Sequence, residues 1–314
     1  MNPGRVMGME NVLFLGMGAV GMTFASQFAD RGYPFHFLCD RFRKEKYAHR
    51  ERFVNGRPYA FPCLVPSEIS APCDFVFVAV KEYQLQDVLP LLEKAVGPQT
   101  IILSLLNGID SEEVIAARLG AGKVLPSFVA RMDSTREGDR LVYSSPGQIV
   151  FGEADGRFSP RMKRLAGLLE EAGVLYEATG EIRRKMWWKF MVNVGINQTG
   201  TILKAPYRIF QEVPQSLEAA FAAMREVMAL APYSGVSLTE KDLQESVRML
   251  MQFNPEGKNS MLQDLEAGRK MEIETFAGKV CRLGEQHGVA TPVNRLYYNL
   301  LKTLECQLAC DRNK

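Results

Sequence analysis

Apolar and polar positions change rhythm about 180 residues into the chain. In the first part, unbroken apolar runs at Val12–Leu15 and at residues 35–39, 75–80 and 101–105 alternate with stretches at 19–31, 85–95 and 112–119. In those stretches apolar residues recur at three and four spacing. Short unbroken runs suit strands covered on both faces, and the intervening period suits the helices that cover them. Gly32 and Gly120 stand where helix C-caps belong, and Asp110 with Glu113 three residues on resembles a capping box. This alternation predicts a doubly wound α/β sheet.

Further β-like pieces at 141–144, 148–152 and 174–177 surround one helical segment, 159–172, and are expected to extend that sheet. Beyond residue 180 the texture becomes helical throughout, over 181–195, 215–231, 239–251, 260–287 and 292–310, with Pro and Gly at the joins. The expected organisation is a doubly wound domain over 1–180 followed by an all-helical domain over 181–314. With no repeat, low-complexity tract or long linker between them, the joint should be tight and form a cleft.

Composition narrows the function classes. The chain has 314 residues, 46% hydrophobic and 24% charged, and 38 Lys+Arg against 36 Asp+Glu leave a formal charge of only +2. No whole-molecule field exists to draw in nucleic acid or an anionic membrane. No apolar run approaches the roughly 20 residues that span a bilayer. Arg5 followed by the 12–15 run imitates a secretory leader, but glycines at fixed spacing explain the same residues better, so a cytoplasmic location is expected. The six cysteines (Cys39, Cys63, Cys73, Cys281, Cys306 and Cys310) form no CxxC pair and have no His at metal spacing, and they read as free thiols. His36, His49 and His287 read as structural or surface residues, which leaves little scope for a catalytic histidine and none for a metal site.

The first chemical motif is Gly16-Met-Gly18-Ala19-Val20-Gly21, placed between a strand and a helix. The first glycine permits the turn, the second admits a pyrophosphate close to the backbone, the third packs helix on strand, and the helix N-terminus favours the anion. In that context GxGxxG identifies a Rossmann-type dinucleotide domain. At the end of the second strand Asp40 could accept from a ribose 2′-hydroxyl, whereas Arg41 opens a stretch with six Lys/Arg against two Glu by Arg52, suited to a 2′-phosphate. NADPH is therefore expected over NADH, with NADH kept open by Asp40. Lys81 and Asn107-Gly108 follow two other strands, where ligands of open α/β sheets bind.

In the helical part, Lys189, Asn193 and Asn197 recur every fourth residue among Met186, Trp187, Trp188, Phe190, Met191, Val192, Val194 and Ile196. A lysine held among apolar neighbours gives up its proton more readily than one in water, which suits a general acid, and carboxamides orient a substrate without adding charge. Ser260 and Glu272 sit about 120° apart on an ideal helix, so they share a site only if Gly268 bends it.

Taken in order, Gly16/Gly18/Gly21, Lys81, Asn107-Gly108, Lys189-x3-Asn193-x3-Asn197, the run Ser260-Met-Leu-Gln-Asp264 through Glu272-Ile-Glu274, and His287-Gly-Val-Ala-Thr-Pro292 resemble the ketopantoate reductases from about residue 10 to 303. That resemblance implies NADPH-dependent reduction of 2-dehydropantoate to pantoate, on the way to pantothenate and coenzyme A. It implies Lys189 as general acid, and Glu272 as the carboxylate orienting it or a substrate hydroxyl. Asn193, Asn197 and Ser260 become substrate ligands, and Lys81 and Asn107 line the cofactor side. The expected partner is a small 2-oxo acid, with a homodimer as the candidate assembly. Two positions depart from the family: Gly257 stands where many members have Asn, and Met271 where Thr often precedes the glutamate. These bear on which 2-oxo acid is used. The alternatives are a β-hydroxyacid dehydrogenase, which also sets Lys and Asn four apart on a helix, and a non-catalytic NADP(H) sensor.

Overall fold

The computed structural model describes residues 9–48 and 50–312, with side chains given as far as residue 307. Arg5 and His49 lie outside the described residues, as does the side chain of Cys310. The chain falls into two compact units, Met1–Ile182 and Arg183–Lys314.

The first unit runs β1 (Val12–Leu15), α1 (Ala19–Asp30), β2 (Phe35–Leu38), α2 (Arg41–Ala48), β3 (Arg52–Val54), β4 (Arg57–Tyr59), β5 (Cys63–Leu64), β6 (Cys73–Val78), α3 (Glu82–Val88) and β7 (Val96–Ser104). It continues with α4 (Ser111–Leu119), β8 (Val124–Leu125), β9 (Ser127–Glu137), β10 (Arg140–Phe151), α5 (Pro160–Glu171) and β11 (Tyr176–Ala178). Its main sheet has the order β5-β2-β1-β6-β7-β8 with every pairing parallel. Phe37, Phe14 and Phe77 share one row across β2, β1 and β6, and Phe14 stacks on Phe77 with centroids 5.0 Å apart. Full burial of one such ring contributes about 1.5–3 kcal/mol. On this face the phenylalanines meet Phe24 and Phe28 of α1 and Leu165 and Leu169 of α5. Leu13, Leu15, Val76, Val78 and Ile102 cover the other face against α3 and α4, with Leu85, Val88 and Ile115.

The late β pieces do not extend this sheet. They form a second one, ordered β11-β10-β3-β4, with β9 paired antiparallel to β10. Only the two-residue β8 continues the first sheet. The division follows from β9 and β10, 11 and 12 residues long, which pair mainly with each other, while β3 and β11 pair with the two ends of the other edge of β10. Asp110 occupies the N-cap position of α4 without a side-chain cap bond. The five described cysteines are free thiols.

The second unit is helical: α6 (Ile182–Val192), which starts on the last residue of the first unit, α7 (Gln198–Ile202), α8 (Arg208–Glu212), α9 (Pro214–Leu230), α10 (Glu240–Leu250), α11 (Ser260–Glu266), α12 (Lys279–His287) and α13 (Pro292–Arg312). Two of the continuous helices read from the sequence are interrupted. A π turn, Asn193–Asn197, separates α6 from α7. The 260–287 stretch ends as a helix at Glu266, because Gly268 takes φ +61° and the amide of Arg269 bonds back to Asp264 O at 2.7 Å. The chain then runs outside helical structure to Glu272, whose carbonyl accepts from Phe276 at the entry to a second π turn, Glu274–Gly278, that leads α12. Among the described residues no helix is long and apolar enough to cross a membrane.

Candidate active site

Leu38, Leu15, Val78 and Ser104 lie in one register row, so β2, β1, β6 and β7 end together. Every cofactor residue named from the sequence leaves the sheet at that edge: Asp40 and Arg41 after β2, Gly16 to Gly21 after β1, Lys81 after β6 and Asn107 after β7. Strand order reverses between β1 and β6, the switch point at which open α/β sheets bind ligands.

The three glycines answer different constraints. Gly16 has φ +108°, and a Cβ there would lie 2.5 Å from Ala79 O; one on Gly21 would lie 2.0 Å from Gly16 O. Gly18, the N-cap of α1, is different: a Cβ would meet only Ala79 O, at 3.8 Å, and no side chain caps the helix. The protein's own packing therefore does not require glycine at 18, and the amides of the first turn are left to a ligand. This fits a dinucleotide phosphate and the helix-end chemistry that holds one. One neighbour of this loop had no signal in the sequence: Arg136, on β9, donates to Met17 O at 2.7 Å from 119 positions away.

Asp40 is partly committed, because its Oδ1 accepts from the Arg43 amide at 2.7 Å and so caps α2. The basic stretch that follows is largely neutralised. Arg43 pairs with Asp40 at 3.6 Å, Lys44 with Glu68 at 2.5 Å, and Arg50 and Arg52 face Asp139 at 3.2 and 3.9 Å. Lys44 in turn holds the Glu68 carboxyl below its ordinary range. Among the described residues, Arg41 and Lys46 have no acid within 4.0 Å, and of the two only Arg41 adjoins the end of β2. Lys81 is half-buried at the start of α3, its amide donating to Gln84 Oε1 at 3.4 Å, and Asn107 is half-buried before Gly108, whose φ is +95°.

In the first turn of α4 lies a titrating group that sequence reasoning missed, since an acid in a first helical turn is ordinary. Ser104 and Ser111 share a hydrogen bond of 2.7 Å, and Ser111 donates to Glu112 Oε2 at 3.0 Å. Burial pushes the Glu112 carboxyl up to about 7, with the Asp110 charge adding to it. A carboxyl bound more tightly to its proton in the folded state than at the unfolded value of 4.5 adds stability fully present below that value and lost as pH rises to about 7. The melting temperature should therefore fall between pH 5 and 8 in the parent and change less in Glu112→Gln; superimposable pH profiles would show that Glu112 titrates normally.

In the second unit, α6 buries Met186, Trp187, Phe190, Met191 and Val192. The Trp188 indole donates to Asp242 O at 3.3 Å, and Arg184 pairs with Asp242 at 2.6 Å. Lys189 and Asn193 are half-buried and Asn197 is 8% exposed. On a regular α-helix each step of four residues advances by about 40°. The wider π turn takes part of that advance back, so Asn197 returns toward the line set by Lys189 and Asn193. Gly195 lets the turn approach α9, where a Cβ would meet Met224 at 2.5 Å and Ala220 O at 2.9 Å.

Glu272 is 4% exposed, just before the second π turn, and the two π turns pack against each other. Ser260 is exposed on the first turn of α11. The cap of that helix is Asn259, whose Oδ1 accepts from the amides of Met261 and Leu262 at 3.0 and 2.9 Å and from Thr201 Oγ1 at 3.3 Å. Because the helix stops at Glu266, the 120° separation expected of Ser260 and Glu272 does not apply. At the departure Gly257, a Cβ would stand 3.1 Å from the Tyr207 ring, so that ring occupies the space a side chain would use. Met271 is buried and held by its amide to Glu305 at 2.8 Å.

Residues 12–156 match the family model described as ketopantoate reductase PanE/ApbA, and residues 181–305 match that of ketopantoate reductase PanE/ApbA C terminal. The chain belongs to the ketopantoate reductase family. As a member of that family it is an oxidoreductase that works with a nicotinamide cofactor. It is 29% identical over 305 residues to the 2-dehydropantoate 2-reductase of Archaeoglobus fulgidus, covering 96% of this chain and 100% of that one. Against the 2-dehydropantoate 2-reductase of Vibrio cholerae it is 26% identical, covering 94% and 98%. Among solved structures, 2-dehydropantoate 2-reductase from Methylococcus capsulatus superimposes with TM-score 0.80 at 28% identity, covering 95% of this chain and 97% of that one. A D-mandelate dehydrogenase complexed with NADH and anilino(oxo)acetate has the same fold, with TM-score 0.84 at 21% identity and coverage of 95% and 99%.

Proposed function

We propose that this ketopantoate reductase family member reduces 2-dehydropantoate to pantoate with NADPH, a step toward pantothenate and coenzyme A. The observation that carries the reading is the joined pair of π turns in the second unit. The first turn carries two carboxamides just after the lysine, in a stretch, 186–197, that is otherwise apolar or glycine, and the second turn, packed against the first, directly follows a buried carboxylate.

The residues that would hold the cofactor are Gly16, Gly18, Ala19, Val20 and Gly21 at its phosphates, Arg41 and Asp40 at its adenosine end, and Lys81 and Asn107 toward its nicotinamide. When bound, the reduced nicotinamide supplies the hydride. Lys189 holds a proton for the ketone oxygen and gives it up as charge develops there, and Glu272 orients that ammonium or a substrate hydroxyl. Asn193 and Asn197 bind the substrate's polar groups by neutral hydrogen bonds, and Ser260 adds a hydroxyl at its outer side. Positioning and stabilisation of the forming alkoxide provide most of the acceleration.

Steady-state turnover followed at 340 nm, with 2-dehydropantoate offered beside other 2-oxo and 3-hydroxy acids and with NADPH in parallel with NADH, tests the reading. A preference for 2-dehydropantoate and NADPH is expected; faster turnover of another acid would overturn the substrate assignment. In Arg41→Ala the KM for NADPH should rise about tenfold, one charge-assisted pair, with that for NADH nearly unchanged. An equal rise for both would remove Arg41 from 2′-phosphate recognition.

A further inference from the structure

Gln198 is wholly buried one residue after Asn197, and the hydrogen-bond partners of its side chain are Val194, Asn294 and Ala277 rather than groups assigned to the reaction. Its amide spans both π turns. Nε2 donates to Val194 O, inside the first turn, at 2.7 Å and to Asn294 Oδ1 at 3.2 Å, while Oε1 accepts from the Ala277 amide, inside the second turn, at 3.0 Å. The second turn explains why a side chain is needed there. The carbonyls of Glu272 and Ile273 accept from Phe276 and Gly278, one four and one five residues ahead. The Ala277 amide falls between the two registers, and a buried amide needs a partner. Asn294, also wholly buried, donates to Ala223 O at 3.1 Å and to Glu226 Oε2 at 2.7 Å. The Glu226 carboxylate closes the network by accepting from the amides of Val293 and Asn294 at 2.7 and 2.9 Å.

We infer that Gln198 is a positioning residue: by bonding both π turns it fixes the backbone carrying Asn193 and Asn197 against the backbone that follows Glu272. The inference rests on the reading of those three residues as the substrate-binding and proton-orienting groups. A buried polar network satisfied at each member enforces one arrangement where apolar packing alone would permit several. The first turn is free to widen at Asn193 and the second at Glu274, and without a common partner each could settle in its own register.

The test compares Gln198→Leu, of similar size and without polar atoms, with Gln198→Glu. In Gln198→Leu, kcat for 2-dehydropantoate should fall at least thirtyfold while the NADPH dissociation constant, read by fluorescence titration, stays within twofold. Protection of the 272–280 amides in hydrogen exchange should fall as well. Gln198→Glu retains the acceptor for Ala277 and, once protonated, a donor for Val194, so it should recover most of the lost kcat as pH is lowered from 8 to 6. A folded Gln198→Leu within threefold of the parent kcat, or Gln198→Glu equally impaired at every pH, would overturn the positioning role. Parent enzyme that reduces no 2-oxo acid would instead overturn the functional reading. The clamp is then judged by exchange alone, and unchanged protection of 272–280 in Gln198→Leu sinks it.

Discussion

Lys189→Met should lower kcat by at least a hundredfold and leave the melting temperature within a few degrees of the parent. A hundredfold is the low end for a general acid and corresponds to about 2.7 kcal/mol of transition-state stabilisation. Methionine is the informative substitution because α6 is packed with large side chains, Trp187 and Phe190 meeting edge to face with centroids 5.9 Å apart. Alanine at 189 removes a long apolar stem together with the ammonium, so its loss of activity would mix packing with chemistry. Lys189→Arg should not rescue: guanidinium retains its proton throughout the accessible pH range and presents a planar fork in place of a compact ammonium. Cofactor affinity should be unaffected in all three variants, since the residues proposed to bind it lie in the other unit. Turnover of Lys189→Met within threefold of the parent would remove the lysine from the mechanism.

The stripe that makes this prediction possible is visible in the sequence because a lysine and two asparagines in a stretch, 186–197, whose other positions are apolar or glycine contradict the usual logic of burial. The interruption after it is not. Asn193 to Asn197 combine two asparagines, a glycine and two β-branched residues, which weakens a helix without specifying a π turn; the contact of Gly195 with α9 and the bond from Gln198 to Val194 accompany the widening, and the first of these depends on tertiary packing. Gly268 stands out in the sequence, yet helical periodicity continues past it and predicts at most a bend; the left-handed φ and the Arg269 to Asp264 bond make it a stop.

A similar contrast separates the two sheets. The Phe14 row is local: each strand announces itself by an apolar run, and parallel pairing needs no further instruction. β3 and β4 are three residues each, Arg-Phe-Val and Arg-Pro-Tyr, and β3 is a strand because Leu141, 87 positions away, pairs with Val54. No local signal carries that pairing. Arg136 and Glu112 were illegible for the same reason, one reaching the glycine loop from a distant hairpin and the other acquiring its environment only when Ser104 and Ser111 meet.

Gly18→Asp should abolish measurable dinucleotide binding, raising the dissociation constants for NADPH and NADH alike by a hundredfold or more, while the protein folds as well as the parent or slightly better. The two halves of this outcome have separate causes. Position 18 is the N-cap of α1, with φ −86° and ψ −168°, a conformation any residue adopts, and a Cβ there has no contact closer than 3.8 Å. Aspartate is among the preferred N-caps, and its carboxylate would bond the first-turn amides and favour the positive end of the helix, adding up to a few tenths of a kcal/mol. Those amides are the groups a pyrophosphate would use, and the new charge repels the ligand as well as displacing it. Gly21→Ala is the control: its Cβ would lie 2.0 Å from Gly16 O, so the loop must deform, and both stability and binding should fall together. Calorimetric titration with each cofactor beside thermal melts distinguishes the cases. A Gly18→Asp protein that binds NADPH with parental affinity would show that the glycine loop only connects β1 to α1, and the assignment of this edge of the sheet to the dinucleotide would fail.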